Sequence, residues 1–386
     1  MSRIFGRILA VLIVASLLIT TFGVALAQTP APDTSVTGAA QTEVFKGFDP
    51  AKCYIPKEGV TAKIKAPTKK APPYRIALSN SYIGNDWRTE MIQAAKAFAN
   101  LDDVKPLVKE FYVVSSGMDA NAQIAMIDLM IASKYDAILI SAASTTALNP
   151  AIKRAHDAGI VVVSFDNTDT SPFSVKVNHD QFEFGATMAQ WLVDQLNGKG
   201  DVFMITGVAG TEVDKGRTGG AKAVFAKNPG IKILGEQPGM WANGPAQAVM
   251  ATALGAFPKI DGVWCQGGDF GVLKAYQDAK RPFVPVGGEA ENGFRRLAAE
   301  LKIPVISVGQ TPSLSAVAFK VALDMLKDGT EMPEYIYIPP PTAKSPDIVD
   351  GRDYFSSIPD TFFAAIQVPQ CNIRFNAAQV LSQDPY

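Results

Sequence analysis

Residues 79–91 read SNSYIGNDWRTEM, and within them Asn85, Asp86, Trp87 and Arg88 stand side by side where an apolar run gives way to a helical pattern. A planar amide, a carboxylate, an indole and a guanidinium suit a hydroxyl-rich ligand: the forks pair with adjacent hydroxyls, and a flat ring covers C–H faces. Residues of the same character recur as Ser141, Asp166 with Asn167, Arg217, Trp241, Glu289 and Gln310. Material for catalysis is scarcer. Of the two histidines, His156 and His179, neither has a second histidine at metal-ligand spacing, and Cys265 in GVWCQ has no nucleophile-elbow or redox context. The glycine-rich 207–220 segment lacks the GK[ST] ending of a phosphate loop and the dinucleotide G-x-G-x-x-G pattern. Asp166 and Glu289 could form a glycosidase pair, with roles set by a separation that sequence does not supply, so a secreted glycoside hydrolase is the competing reading from another class.

The elements that must position these residues follow a strict rhythm after Tyr74, in which short β-branched runs alternate with helical patterns. Strands are predicted at 75–80, 108–116, 136–141, 159–165, 201–207, 230–236, 261–266, 283–288 and 304–310. Helices are predicted at 87–99, 121–132, 147–157, 182–197, 214–226, 244–255, 270–279, 291–301 and 313–327, with Asp86 as N-cap of the first. Such alternation implies parallel sheets covered by helices on both faces. In an open parallel sheet the ligand crevice lies beyond the carboxyl ends of the strands, which is where the candidates fall: Asn80 to Arg88, Ser141, Asp166 and Asn167, Gly207 to Arg217, Gly267 to Asp269, Gly288 and Glu289, and Gln310. Trp87 and Trp241 are the large aromatics at such positions, whereas Trp191 and Trp264 read as core.

With 386 residues, 47% of them hydrophobic, the chain can bury two full cores. A net charge of -1 leaves no basic footprint for nucleic acid or an anionic membrane. Arg3 and Arg7, the apolar stretch Ile8 to Val24 and Ala25-Leu26-Ala27 form the order of a secretory signal, 1–27, cleaved before Gln28. An uncleaved anchor is the competing reading; no cysteine follows the site, which argues against a lipoprotein. Loss of the two arginines takes the charge from -1 to -3. Residues 28–73, rich in Pro, Ala, Thr and Lys, read as a leader or linker. An oxidising compartment would let Cys53 and Cys371 pair and leave Cys265 as a buried small hydrophobe, although spacing alone cannot place two cysteines together.

In order and spacing, AGIVVVSFDN (158–167), GVAGTEVDKGRTGG (207–220), EQPGMW (236–241) and VGQTP (308–312) resemble segments of the periplasmic sugar-binding proteins of ABC importers, in the ribose-binding-like branch shared with the effector domains of bacterial sugar repressors. The resemblance runs from about Tyr74 to Ile338. It implies an α/β fold of two Rossmann-like lobes with helix-flanked parallel sheets and a three-segment hinge, the type I periplasmic binding protein. Lobe one would hold 74–178 plus 311–333 and lobe two 179–310 plus about 334–350. The extension 351–386 has no clear family counterpart and is expected to pack back on 49–60 near Cys53.

Residue by residue, the resemblance implies ligand contacts from Asn85, Trp87 and Arg88, the last replacing a second aromatic. Ser141 falls where asparagine is frequent, Asp166 matches an acidic residue, and Asn167 stands where arginine is usual. Arg217, Trp241 and Gln310 match an arginine, an aromatic and the hinge glutamine, and Glu289 replaces an aspartate. Gly267 and Gly268 stand where Asn-Asp is normal, with one residue missing. These departures imply a sugar or polyol other than the family's commonest pentose. The implied protein is a monomeric periplasmic receptor with no cofactor, no catalysis and no nucleic-acid partner. It would deliver its ligand to an inner-membrane ABC permease, or report closure to a chemoreceptor or sensor kinase. Plainer readings stand beside these: Trp87 as the first core residue of its helix, Arg88 and Arg217 as solvated helix charges, Asp166 and Ser141 as turn formers, Trp241 as a loop cap and Gln310 as a partner of hinge backbone.

Overall fold

Two six-stranded sheets organise residues 39–385, the part of the chain that the computed structural model describes. The predicted signal 1–27 and its cleavage site lie outside the described residues. The first sheet runs Tyr335–Tyr337, Val175–Asn178, Val161–Phe165, Ala137–Ser141, Tyr74–Asn80, Val108–Ser115, with every neighbour parallel. The second runs Thr342–Lys344, Val305–Val308, Val286–Gly288, Gly262–Cys265, Gly200–Thr206, Ile231–Pro238, parallel except for its first, antiparallel strand.

Side-chain alternation along the strands gives each sheet two cores. Ile76, Leu78, Ala137 and Leu139 pack toward the helices Asp86–Ala99 and Leu314–Asp328, while Ala77, Ile138 and Ile140 meet Ala120–Ala132 and Asn149–Asp157. In lobe two, Val202, Met204, Trp264 and Ile306 face Gln181–Gln195 and Glu212–Ala226. Phe203, Ile205, Val263 and Val305 face Asn243–Ala256, Asp269–Asp278 and Asn292–Leu301. Trp191 and Trp264 sit in this packing as core residues.

Three expectations need correction. The first helix is capped by Asn85, in extended backbone with its side chain accepting from Arg88 N at 3.0 Å, and Asp86 instead occupies the first turn, where the helix dipole favours a carboxylate. Strand Tyr335–Tyr337 pairs with Val175–Asn178, so this stretch belongs to lobe one and the chain returns to lobe two only after Ile338. Pro339 to Pro341, which lack backbone donors, mark that passage. The leader is no linker from residue 39 onward. Val44, Cys53 and Ile64 are buried in the lobe-one core, Lys63–Ile64 pairs with Met332–Pro333, and Asp103 accepts from Val44 N and Phe45 N at 2.8 and 2.6 Å.

The chain passes between the sheets after Asn178, after Val308 and after Ile338. His179 ties the three passages together. Its Nδ1 lies 2.6 Å from Ile338 O, and Thr311 N donates to its Nε2 at 3.3 Å. That geometry places the proton on Nδ1, and complete burial lowers the imidazole pKa to about 4.

The C-terminal extension adds a fourth passage. Asp360 to Ala364 bonds to the lobe-two segment Ala290 to Gly293, after which Val368, Ile373, Phe375 and Val380 enter the lobe-one core. Cys371 is disulfide-bonded to Cys53, with Cα atoms 4.6 Å apart. Among the described residues no helix is long and apolar enough to cross a membrane.

Candidate functional site

The carboxyl ends of both sheets face a cleft with about 320 Å³ of space between protein atoms, part of it open to solvent. Its walls are Asn85, Trp87, Arg88, Asp166, Asn167, Arg217, Trp241, Glu289 and Gln310, together with Val213 and Phe363.

Lobe one contributes a charge pair rather than free groups. Arg88 Nη2 lies 2.8 Å from Asp166 Oδ2, both side chains being almost fully buried. Arg88 Nη1 donates to Asn80 Oδ1 at 3.1 Å and to Ser141 Oγ, and its guanidinium lies over the Tyr82 ring at 4.8 Å. Asp166 also accepts from Ser141 Oγ at 3.2 Å, Asn167 Nδ2 at 2.9 Å and Gln310 Nε2 at 2.9 Å. Its φ of 58° places it in the left-handed region, a local strain that a short polar side chain at a strand end can bear.

Lobe two answers with Arg217, whose guanidinium lies 3.9 Å from the Phe184 ring centroid. Nε donates to Gln181 Oε1 at 2.9 Å, Nη1 to Gln266 O at 2.9 Å and Nη2 to Gln310 Oε1 at 3.0 Å, and Glu289 Oε2 is 3.5 Å from Nη1. Burial outweighs the attraction of Arg217 and raises the Glu289 pKa to about 8; Glu289 Oε1 accepts from Gln310 N at 3.1 Å. Gln310 is the junction. Its amide donates to the acid of lobe one and accepts from the arginine of lobe two, while its carbonyl accepts from Trp87 Nε1 at 2.8 Å.

The two tryptophans are held differently. Trp87 is both a member of the lobe-one core and a wall of the cavity, so its helical spacing and its place at a strand end are both satisfied. Trp241 follows Met240 in the left-handed region, with φ of 54° and 58°, and donates from Nε1 to Gln266 Oε1 at 3.2 Å. Its indole has a seat made by two glycines: a Cβ on Gly207 would come 2.1 Å from Trp241 Cε2, and one on Gly267 would come 2.8 Å from Cδ1.

Two predicted contacts are not cavity walls. Ser141 lies beneath the cavity, where it supports the Arg88–Asp166 pair, and Gly267 serves as part of the Trp241 seat. Their strand-end positions put them near the site, but a short hydroxyl and a bare backbone stop short of its surface. Phe363 lies outside every strand-end stretch, and Val213 lies inside the Gly207 to Arg217 stretch without standing out from it. Val213 is an ordinary apolar residue one turn before Arg217, and Phe363 comes from the extension, whose path no local pattern announces. Among the described residues no group of three or more His, Cys, Asp or Glu is placed to hold a metal ion. The Cys265 thiol is buried, its pKa raised well above the usual value by desolvation.

Comparison with known proteins gives a consistent picture. The model of a family described as periplasmic binding protein domain matches residues 76–331. A xylitol-binding protein of Mycolicibacterium smegmatis is 28% identical over 236 residues, 60% of this chain and 67% of that protein. A galactofuranose-binding protein of Escherichia coli is 26% identical over 72% of this chain and 89% of its own length. A D-ribose/D-allose-binding protein of Pseudomonas aeruginosa reaches 32% identity, over 51% of this chain and 63% of that protein. Among solved structures, an ABC transporter solute binding protein from Thermobispora bispora superposes with a TM-score of 0.67 at 28% identity, covering 73% of this chain and 90% of that one.

Proposed function

The chain belongs to the periplasmic binding protein family, a non-enzymatic group of solute receptors, and on that premise we propose that it captures a sugar or polyol between its lobes and delivers it to the permease of an ABC importer. The observation that carries this reading is the hinge-centred network, in which Gln310 bonds at once to Asp166 of lobe one and Arg217 of lobe two beside the cavity. A ligand that engages groups on both lobes favours the closed arrangement, which a membrane partner can read. Asn167 and Glu289 supply acceptors and Trp87 and Trp241 supply flat faces, the mixture that hydroxyl-rich rings require. The relatives that bind xylitol, ribose or allose, and galactofuranose support that ligand class.

A thermal-shift screen against pentoses, hexoses, furanoses and polyols tests the reading. A ligand at ~100 times its dissociation constant adds roughly 2.7 kcal/mol to the folded state, a visible rise in melting temperature. The expected result is a rise with one such compound that is lost in Asp166→Asn and Trp241→Ala proteins of preserved fold. No response from folded, ligand-stripped protein across the panel would overturn the sugar or polyol assignment.

A further inference from the structure

The matched family domain ends at residue 331, yet the cavity has a wall from residue 363. The segment around Phe363 is fixed from both lobes. On the lobe-two side, Asn292 N donates to Phe362 O at 2.7 Å, Gly293 N to Asp360 O at 2.8 Å and Ala364 N to Ala290 O at 2.9 Å. Arg296 clamps the Asp360 carboxylate from Nε and Nη2 at 2.8 to 3.0 Å. On the lobe-one side, Phe363 N donates to Glu90 Oε2 at 2.8 Å and Ser313 Oγ donates to Ile366 O at 2.6 Å.

Glu90 makes the attachment specific. It is buried on the helix that also carries Trp87 and Arg88, and its other oxygen, Oε1, has no hydrogen-bond partner. A carboxyl in such a place is costly unless it holds something, and what it holds is the backbone of Phe363. Phe363, 6% exposed, thereby packs in the same core cluster as Trp87 and lines the cavity that Trp87 and Asp166 also line.

We propose that the C-terminal extension is a working part of the ligand site, in which Phe363 is a specificity-determining wall that covers an apolar face of the bound molecule and restricts the cavity to a single sugar ring or a polyol of that size. The inference rests on the receptor reading above. Aromatic faces pack against the C–H side of such ligands; the backbone that carries the ring is held from both lobes by the Glu90, Asn292 and Gly293 bonds, and the ring itself is packed in the core cluster that includes Trp87, so admitting a second sugar unit requires repacking that core.

The test is calorimetric titration of the full chain with xylitol, D-ribose, D-allose, myo-inositol, maltose and trehalose. Wild type is compared with Phe363→Ala and Phe363→Leu, each checked for folding by its melting transition. The expected result is wild-type binding to a single-ring sugar or polyol and to neither disaccharide. Phe363→Ala should lose at least tenfold in affinity for that ligand and admit a larger one. Should the alanine variant not fold, the leucine variant decides, since it fills the space without an aromatic face. Binding by folded variants within twofold of wild type, with an unchanged order of ligands, would overturn the wall while leaving the receptor reading intact. Wild-type binding of maltose or trehalose would overturn the size limit. Wild-type protein that binds no member of the panel would overturn the sugar or polyol assignment and the wall with it.

Discussion

Asp166 is the acceptor for Arg88, Ser141, Asn167 and Gln310, so truncating it leaves four donors without their partner in a dry place. Breaking a buried ion pair from one side typically costs about 3–5 kcal/mol, because the surviving charge stays buried. Asp166→Ala should therefore lose stability of that order in urea denaturation, and Arg88→Met combined with Asp166→Leu should cost less than the two single changes added together. Trp241 gives a different kind of prediction. Because its indole rests where a Gly207 side chain would be, Gly207→Ala should displace the ring and weaken ligand binding at least tenfold in a titration, with only a modest fall in melting temperature. Glu289 gives a pH dependence. Its folded pKa of about 8 exceeds the unfolded value of roughly 4.3, so between these values the folded state holds more protons and stability falls as pH rises, by at most about 1.4 kcal/mol per unit. Glu289→Gln should flatten that slope in the ligand-free protein when chemical denaturation is followed from pH 5 to 8.

At the scale of elements, the hinge and the two termini carry the arguments. His179 contributes with the opposite sign to Glu289. Its folded pKa of about 4 lies below the ordinary 6.5, so the unfolded chain takes up the proton first and stability is lost as pH falls from about 6.5 to 4. His179→Gln should remove that acid-side loss in the same denaturation series, and it should loosen contacts among the three passages at neutral pH. The leader is held by Lys320, whose Nζ lies 3.4 Å and 4.0 Å from the ring centroids of Phe48 and Phe45 and 3.5 Å from Asp324. Burial lowers its pKa to about 8. The Cys53–Cys371 bond clasps leader to extension across 318 residues. Cys371→Ser should cost about 2–4 kcal/mol, and reductant should bring wild type down to the level of the variant while leaving the variant unchanged.

Over the whole molecule, the lobes meet in more than the hinge. Val213 N donates to Asn167 Oδ1 at 3.4 Å and Asn178 Nδ2 to Glu212 Oε2 at 3.5 Å, long contacts that a modest opening would break. The extension adds a further tie between the lobes through Asp360 to Ile366. Opening is therefore expected to be smaller than three passages alone would allow, and ligand should shift the population toward the closed form. Small-angle scattering should show a fall in radius of gyration at saturating ligand. An unchanged radius, with binding verified by calorimetry, would mean that the ligand binds without closing the lobes.

The amino-acid order determined the layered α/β architecture, because fully buried strands such as Ala137–Ser141 and Val161–Phe165 are mostly apolar runs and the helices between them keep their own period. It also pointed to the strand-end shortlist, since in parallel sheets the position along the strand fixes which residues meet the crevice. Three short strands, which lack an apolar run of their own, escaped it. Val175–Asn178, Tyr335–Tyr337 and Thr342–Lys344 have four, three and three residues and take their conformation from the neighbours they pair with. Tertiary structure alone decided that Arg88 is committed to Asp166, that Gln310 joins the two lobes, that Gly207 and Gly267 seat Trp241, and that Phe363 reaches the cavity. Each of these depends on distances between segments up to hundreds of residues apart, and local periodicity carries no information about such distances.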